Sequence, residues 1–331
     1  MKIVVDKAIP YICGVLEPYA EVEYLGGADI GPADVADADA LVIRTRTRCD
    51  RSLLEGSRVK LIATATIGCD HIDMDYCNYA DIEVCSAPGC NARGVLQWVA
   101  AALRHIVECD GRACSDYTLG VVGVGNVGSL VSRYARHWGF NVLECDPPRM
   151  AREGGDFRAL EDLARSCDIL TFHTPLDATT RHLVDDALIN MMRDNAVIIN
   201  ASRGGVVDNM AVARSGHRYY FDVWEGEPNV EQYIVEGAAF ATPHIAGYSV
   251  QGKANATAAV VAAVARHFCL PLDGWYPSGV ESVEPRLISW EEMCATIDEY
   301  FDAHCESVHF KSNLADFEQL RNGYNYRREY F

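Results

Sequence analysis

The chain has 331 residues, of which 49% are hydrophobic and 23% are charged, as is usual for a globular protein with a substantial core. Its formal net charge of −18, from 29 basic and 47 acidic residues, argues against a nucleic-acid partner, because phosphate binding needs a basic surface. No apolar run is long enough to span a membrane and the first residues do not resemble a signal peptide, so we expect a cytoplasmic protein without a membrane partner.

Thirteen cysteines are scattered along the whole chain. Their number is odd and no Cys-x-x-Cys pair occurs, so neither a zinc ribbon nor a thioredoxin-like motif is available. We therefore predict reduced, mostly buried thiols and no metal site.

Short β-branched segments alternate with helical patterns along most of the chain. Helices are predicted at 91–109, 251–268 and 290–301. The predicted strands are 2–5, 40–43, 60–63, 82–85, 118–122, 141–145, 169–172, 196–199, 219–223 and 239–241. This alternation is typical of α/β proteins with doubly wound parallel sheets.

A glycine-rich turn follows the predicted strand 118–122 and begins a helix; its key positions are Gly123, Gly125, Asn126, Val127 and Gly128. The glycines allow a tight turn and the close approach of a diphosphate, whose charge the helix N-terminus stabilises. A turn that merely packs a βαβ unit is the alternative. The complete strand–turn–helix–strand context favours dinucleotide binding.

The strand after this helix ends at Asp146, where a carboxylate can accept hydrogen bonds from the hydroxyl groups of a ribose. Because this carboxylate would repel a 2′-phosphate, we predict NAD as the cofactor rather than NADP. The nearby Arg149 weakens that preference, but we expect Pro147 and Pro148 to direct it away.

More than a hundred residues precede the glycine-rich turn and have their own β/α alternation. We predict a flavodoxin-like substrate-binding lobe at 1–90 and, inserted into it, a Rossmann NAD-binding domain at 91–248. A helix at 249–271 would return the chain to the first lobe. Residues 272–331 are too few for a core of their own and carry Phe317, Tyr324 and Tyr330. We expect them to form a small C-terminal dimerisation domain of a homodimer.

Three downstream segments place polar side chains at the ends of successive predicted strands: Arg203, Glu227 and His244. Ligands bind beyond the carboxyl ends of the strands in open α/β sheets. An arginine can bind a carboxylate bidentately, a histidine can take a hydroxyl proton, and a glutamate can orient that histidine. Taken singly, Arg203 is better explained as a surface residue and His244 as a structural one. Together, after a dinucleotide motif, they predict a dehydrogenase active site.

These motifs resemble those of the D-isomer-specific 2-hydroxyacid dehydrogenases over roughly residues 1–268, and passages such as 63–73, 86–92 and 317–321 resemble a branch with a phosphorylated substrate. The resemblance implies that Arg203 and Glu227 are active-site residues and that His244 is the proton donor and acceptor. It implies cofactor contacts at Asp146, Thr174, Asp222 and Gly247. It implies substrate contacts at Thr45, Thr66 and Tyr248. The implied partner is a small anionic phosphorylated 2-hydroxy acid.

Arg44 and Arg46 flank Thr45 and could supply a local positive field for such a substrate. Only one side of an extended chain faces a cleft, and a solvated arginine run explains these residues equally well. The sequence leaves open which cation binds the phosphate.

Two alternatives are kept. A different D-2-hydroxyacid dehydrogenase, such as a 3-phosphoglycerate dehydrogenase, would share the catalytic residues but is disfavoured by Tyr248, Lys253 and the short C-terminal segment. A non-catalytic NAD-sensing protein is disfavoured by the intact Arg203, Glu227 and His244.

The chain departs from the family pattern in two places. The segment between 208 and 219 is shortened, which bears on local packing, and the region after Pro271 is compressed, which bears on the dimer.

Overall fold

The computed structural model describes residues 1–331 and divides into two compact units. The first unit comprises Met1–Asn91 and Val250–Ser282, and the second comprises Ala92–Ser249 and Val283–Phe331. The strands are β1 Lys2–Asp6, β2 Glu21–Leu25, β3 Ala40–Ile43, β4 Leu61–Thr64, β5 Glu83–Cys85, β6 Thr118–Val122, β7 Asn141–Cys145, β8 Ile169–Phe172, β9 Val197–Asn200, β10 Arg218–Phe221 and β11 Phe240–Ala241. The helices are α1 Pro32–Val35, α2 Arg51–Leu54, α3 Met74–Tyr79, α4 Ala92–Asp110, α5 Asn126–His137, α6 Pro147–Glu153, α7 Leu160–Ser166, α8 Asp186–Ile189, α9 Asn209–Ser215, α10 Gln232–Gly237, α11 Val250–Phe268, α12 Trp290–Tyr300, α13 Ala303–Ser312 and α14 Phe317–Asn322.

The first unit is built on a five-stranded parallel sheet of order β2-β1-β3-β4-β5, the flavodoxin-like order. Successive side chains point to opposite faces: Val4 packs towards α1, α2 and α3, whereas Val5 packs towards α11. The sequence pattern does not predict β2. This strand lies at the edge of the sheet, where its residues are exposed or half-buried. Because it can therefore contain Glu21 and Glu23, it lacks the apolar run by which the other strands are predicted.

The second unit has a six-stranded sheet of order β7-β6-β8-β9-β10-β11. All the pairs are parallel, and a single parallel bridge between Glu144 and Phe157 lies beyond β7. This is the Rossmann order with its outermost strand reduced to one residue pair. Val121 packs on α4, α5 and α12, and Val122 packs on the helices of the other face. The predicted α/β fold with two doubly wound parallel sheets is thus confirmed.

The C-terminal aromatic residues are part of the second unit's core. Phe331 and Phe317 are 0% and 2% exposed, and each packs on a different face of the sheet. Helix α13 covers the edge strand, where the Ala241 amide donates to Ser307 Oγ at 3.0 Å. These two aromatic side chains are therefore buried within their own unit. Dimerisation through residues 272–331 stays a prediction.

All thirteen cysteines are free, but only five of them are buried, so the prediction of mostly buried thiols is wrong. No helix combines the length and the apolar character that crossing a membrane requires.

Candidate active site

The carboxyl ends of the parallel strands in the second unit bring the predicted catalytic segments to one edge of the sheet. Arg203 follows β9, Glu227 follows β10 and His244 follows β11, and these three strands are neighbours in the sheet. The glycine-rich turn follows β6 at the same edge. Parallel pairing thus collects residues that are far apart in sequence.

His244 and Glu227 form a hydrogen-bonded pair. The distance from His244 Nδ1 to Glu227 Oε2 is 2.8 Å, and the two side chains are 26% and 19% exposed. The other carboxylate oxygen of Glu227 accepts the Trp224 amide at 2.9 Å. Burial opposes the charge of Glu227, but the nearby imidazole, its hydrogen bonds and Arg321 lower the pKa of this carboxyl overall. An ionised Glu227 orients the ring so that Nε2 is the nitrogen that can exchange a proton.

Asp222 builds the turn that carries His244. Its carboxylate, which is 1% exposed, accepts hydrogen bonds from Thr242 Oγ1 at 2.6 Å and from the amides of Ile245 and Ala246 at 2.8 and 2.9 Å. Its carbonyl accepts the His244 amide at 2.7 Å, and His244 adopts a left-handed φ of 59°. Burial raises the pKa of Asp222. The carboxylate is thus engaged by the turn, and the implied contact between Asp222 and the cofactor stays a prediction.

The loop of Arg203 is shaped by the asparagine that ends β9. Asn200 is fully buried; its side-chain oxygen accepts the Ser202 amide at 3.1 Å and its amide donates to the Arg203 carbonyl at 2.9 Å. Gly204 lies directly against the backbone of Trp224, and a Cβ at this position would overlap the Trp224 carbonyl group. The backbone beside Arg203 is therefore in contact with the segment that leads to Glu227.

Arg321 and Tyr248 extend this site, and sequence reasoning overlooked Arg321. Arg321 Nε donates to the Tyr248 hydroxyl at 3.2 Å, and Arg321 Nη1 lies 4.0 Å from Glu227 Oε2. Burial works against its charge, but Tyr248, Glu227 and Asp222 raise the pKa of Arg321 overall. Gly247 lies in the same loop as Tyr248, after β11. The passage 317–321 contains Arg321, but no local pattern predicts that this residue contacts Glu227 and Tyr248.

The glycine-rich turn fits a dinucleotide diphosphate. Helix α5 begins at Asn126, and its N-cap residue is Gly125, which has no side chain that could cap the helix. The first backbone amides of the helix can therefore donate hydrogen bonds to an anion. Gly123 has a φ of 83°, and a Cβ there would lie 2.8 Å from the His173 carbonyl oxygen. Thr174, whose methyl group borders Gly123, has a buried hydroxyl without a protein partner. This orphaned hydroxyl suits a ligand that lies across the turn.

Asp146 and Arg149 both contact the glycine-rich turn. Asp146 accepts the Val124 amide at 2.8 Å and the Arg149 amide at 2.9 Å, while Arg149 Nη1 donates to the Val124 carbonyl at 2.7 Å. The expectation that the prolines direct Arg149 away is therefore wrong. Glu153 binds its guanidinium at 2.8 and 3.0 Å, which offsets part of its charge.

His173 makes a testable contribution to acid stability. Burial lowers its pKa from 6.5 to about 3. Because the unfolded chain binds the proton more readily, the stability due to neutral His173 is complete above pH 6.5 and is lost as the pH falls towards 3. Between pH 7 and pH 5 the protein should lose about 2 kcal/mol more stability than its His173→Gln variant, as measured by urea unfolding. His304→Gln, at an exposed position, is the control and should lose as much stability as the unmodified protein. Equal losses of stability in the unmodified protein and in His173→Gln would contradict the prediction.

The first unit holds the remaining predicted substrate residues. Arg44 Nε lies 3.0 Å from the fully buried Asp6 carboxylate, while Thr45 and Arg46 are exposed. Thr66 Oγ1 lies 2.7 Å from Thr64 Oγ1 and donates to the Gly68 carbonyl at 3.0 Å. Arg44 is thus partly neutralised within its own unit. The substrate roles of these residues stay predictions.

Comparison with known proteins agrees with this arrangement. Residues 94–246 match the family model of the D-isomer specific 2-hydroxyacid dehydrogenase, NAD binding domain. The solved structure of cofactor (NAD⁺)-bound 3-phosphoglycerate dehydrogenase from Entamoeba histolytica is similar, with a TM-score of 0.68 and 26% identity, covering 81% of this chain and 95% of that one. The fold, the site and these matches define an NAD-dependent oxidoreductase of the 2-hydroxyacid dehydrogenase class.

Curated relatives narrow this class. The chain is 45% identical to the erythronate-4-phosphate dehydrogenase of Bacteroides fragilis, with 99% of this chain and 97% of the relative covered. It is 40% identical to that of Ectopseudomonas mendocina, with 99% and 93% covered. The chain belongs to the family of erythronate-4-phosphate dehydrogenases.

Proposed function

We propose that this protein oxidises 4-phospho-D-erythronate to (R)-3-hydroxy-2-oxo-4-phosphooxybutanoate in the biosynthesis of pyridoxal 5′-phosphate (vitamin B6). The observation that carries the proposal is the 2.8 Å pair of His244 and Glu227 at the sheet edge that also holds Arg203 and the glycine-rich turn. The names of the curated relatives supply the substrate.

The residues of the site divide the chemistry between them. Bound NAD⁺ supplies the acceptor for the hydride that leaves C2 of the substrate. Neutral His244 takes the proton of the C2 hydroxyl at Nε2, and ionised Glu227 stabilises the resulting imidazolium. Arg203 binds the substrate carboxylate, and its charge stabilises the developing 2-oxo acid. Thr45, Thr66 and the neighbouring arginines of the first unit would contact the rest of the substrate.

A substrate panel tests this proposal. NADH formation is followed by absorbance with 4-phosphoerythronate, 3-phosphoglycerate and D-lactate at equal concentrations. We expect 4-phosphoerythronate to give by far the highest kcat/KM. A preference for 3-phosphoglycerate would instead support the other enzymatic alternative. Binding of NAD without turnover of any substrate would support an NAD-sensing protein.

The choice of cofactor gives a separate prediction. Asp146 should disfavour the 2′-phosphate of NADP, so NAD should bind far more tightly, and Asp146→Ser should narrow the difference. Titration calorimetry of both cofactors with both proteins measures this. Glu161→Ser, a carboxylate replaced at the exposed start of α7, is the matched control and should leave the preference unchanged. Equal affinities for NAD and NADP in the unmodified protein would contradict the assignment.

A cytoplasmic homodimer completes the proposal. It is supported by large hydrophobic residues that remain exposed in the C-terminal region, namely Leu287, Tyr300 and Val308 at 39%, 36% and 51%. These side chains, rather than the buried Phe317 and Phe331, would lie in the subunit contact.

A further inference from the structure

The loop that follows His244 is held by hydrogen bonds of two opposite kinds. Asp222 accepts the amides of Ile245 and Ala246, so it fixes the donors of the loop. Arg327, near the end of the chain, donates from Nη1 to the Ile245 carbonyl at 3.1 Å and to the Tyr248 carbonyl at 3.3 Å. The Ala246 carbonyl accepts a further bond from Arg327 Nη2. The Asp222 carboxylate thus fixes backbone amides of the loop, and the Arg327 guanidinium fixes its backbone carbonyls.

The surroundings of Arg327 keep its guanidinium in place. The residue is 6% exposed, and its guanidinium carbon lies 4.4 Å from the centre of the Phe301 ring. Its Nη2 also donates to the carbonyl of Gly94 at 2.8 Å, which ties the loop to the first turn of α4. The carbonyl partners offset the cost of burying this cation, and removing the guanidinium would leave those buried carbonyl groups unpaired.

A second contact anchors the far end of the loop. Ser249 forms an isolated parallel bridge with Arg327, and Ser249 Oγ donates to the buried Glu329 carboxylate at 2.6 Å. Glu329 also lies 3.9 Å from Arg93. The last residues of the chain therefore follow the loop from Ile245 to Ser249.

We propose that Arg327 is a positioning residue for the dehydrogenase reaction: it holds the loop 244–249 so that His244 keeps its left-handed backbone and faces Glu227. The effect on kcat rests on the proposed function, whereas the effect on the order of the loop does not. A displacement of about 1 Å at a reacting group can cost on the order of a hundredfold in rate. The C-terminal tail thereby acts on the active site of its own chain.

The test compares Arg327→Ala and Arg327→Lys with Arg328→Ala, which removes the same charge at the adjacent exposed position. We expect kcat of Arg327→Ala to fall about a hundredfold. The Kd for NAD should rise by a much smaller factor, because only Gly247 of the predicted cofactor contacts lies in this loop, whereas the glycine-rich turn, Asp146 and Thr174 lie outside it. Added methylguanidinium should restore part of this kcat. Arg327→Lys should be intermediate, since an ammonium cannot span the same carbonyls, and it serves as the test if the alanine variant does not fold.

Hydrogen exchange supplies a readout that needs no substrate. The Ile245 and Ala246 amides should exchange about tenfold faster or more in Arg327→Ala than in Arg328→Ala. This difference would persist even if the substrate panel fails, so the two proposals fail separately. Three results for Arg327→Ala would each overturn the role of Arg327. They are unchanged hydrogen exchange, a kcat within twofold of that of the unmodified protein, and equal losses of kcat and NAD affinity that methylguanidinium does not restore.

Discussion

Replacing His244 with alanine should lower kcat by about a hundred- to ten-thousandfold, the usual contribution of a general acid–base group. His244 is the proton acceptor in the proposed mechanism, and its Nδ1 is engaged by Glu227 at 2.8 Å. It lies outside the glycine-rich turn, so the affinity for NAD should remain nearly unchanged. Steady-state kinetics with 4-phosphoerythronate and titration calorimetry with NAD measure the two quantities.

The chain offers a closely matched control. His267 is 23% exposed and pairs with Glu83 at 2.7 Å, but it lies in the first unit near the end of α11. His267→Ala therefore removes a histidine–glutamate pair of the same geometry outside the site and should keep normal kinetics. If His244→Ala keeps near-normal turnover, some other group accepts the proton and the mechanism is wrong.

The sequence predicts that three distant segments meet at one edge of the sheet, and the structure confirms this because the geometry follows from strand order. Arg203, Glu227 and His244 each follow a short apolar strand, and neighbouring parallel strands place their carboxyl ends side by side. The glycine-rich turn is equally local, since its strand, glycines and helix are consecutive in sequence. Residue type and position relative to a strand were therefore sufficient.

The supporting residues could not be predicted in the same way. The role of Asp222 depends on a turn more than twenty residues further along the chain, as its bonds to Ile245 and Ala246 show. Arg321 and Arg327 reach the site from the C-terminal tail through contacts with Tyr248 and Ile245, some 73 and 82 residues away in sequence. No periodicity or motif encodes such pairing. The sequence predicts a dimerisation role for the aromatic tail, but it does not indicate that Phe331 belongs to the core of its own chain.

Because the protein is strongly acidic, binding of an anionic substrate should depend on the positively charged side chains of the site. A net charge of −18 repels an anionic substrate, so binding depends on local positive groups. Arg44 is paired with Asp6 at 3.0 Å, and Arg321 lies beside Glu227. Arg203 follows β9 at the edge of the sheet that also carries His244, so it is our candidate for binding the substrate carboxylate. In that role the shape of its guanidinium matters as much as its charge.

Arg203→Lys should therefore lower kcat/KM by about a hundred- to thousandfold, although it keeps the positive charge. An ammonium cannot form two parallel hydrogen bonds to a carboxylate, so the reacting carbon would lose its fixed orientation and both kcat and KM should worsen. Arg112→Lys makes the same change at an exposed residue that precedes β6, at the opposite edge of the sheet, and should keep normal kinetics. Steady-state kinetics of both variants with 4-phosphoerythronate measure the effect. A tenfold change in kcat/KM corresponds to about 1.4 kcal/mol of transition-state stabilisation. If kcat/KM of Arg203→Lys stays within about threefold of that of the unmodified protein, the loss is well under this value and another group holds the carboxylate.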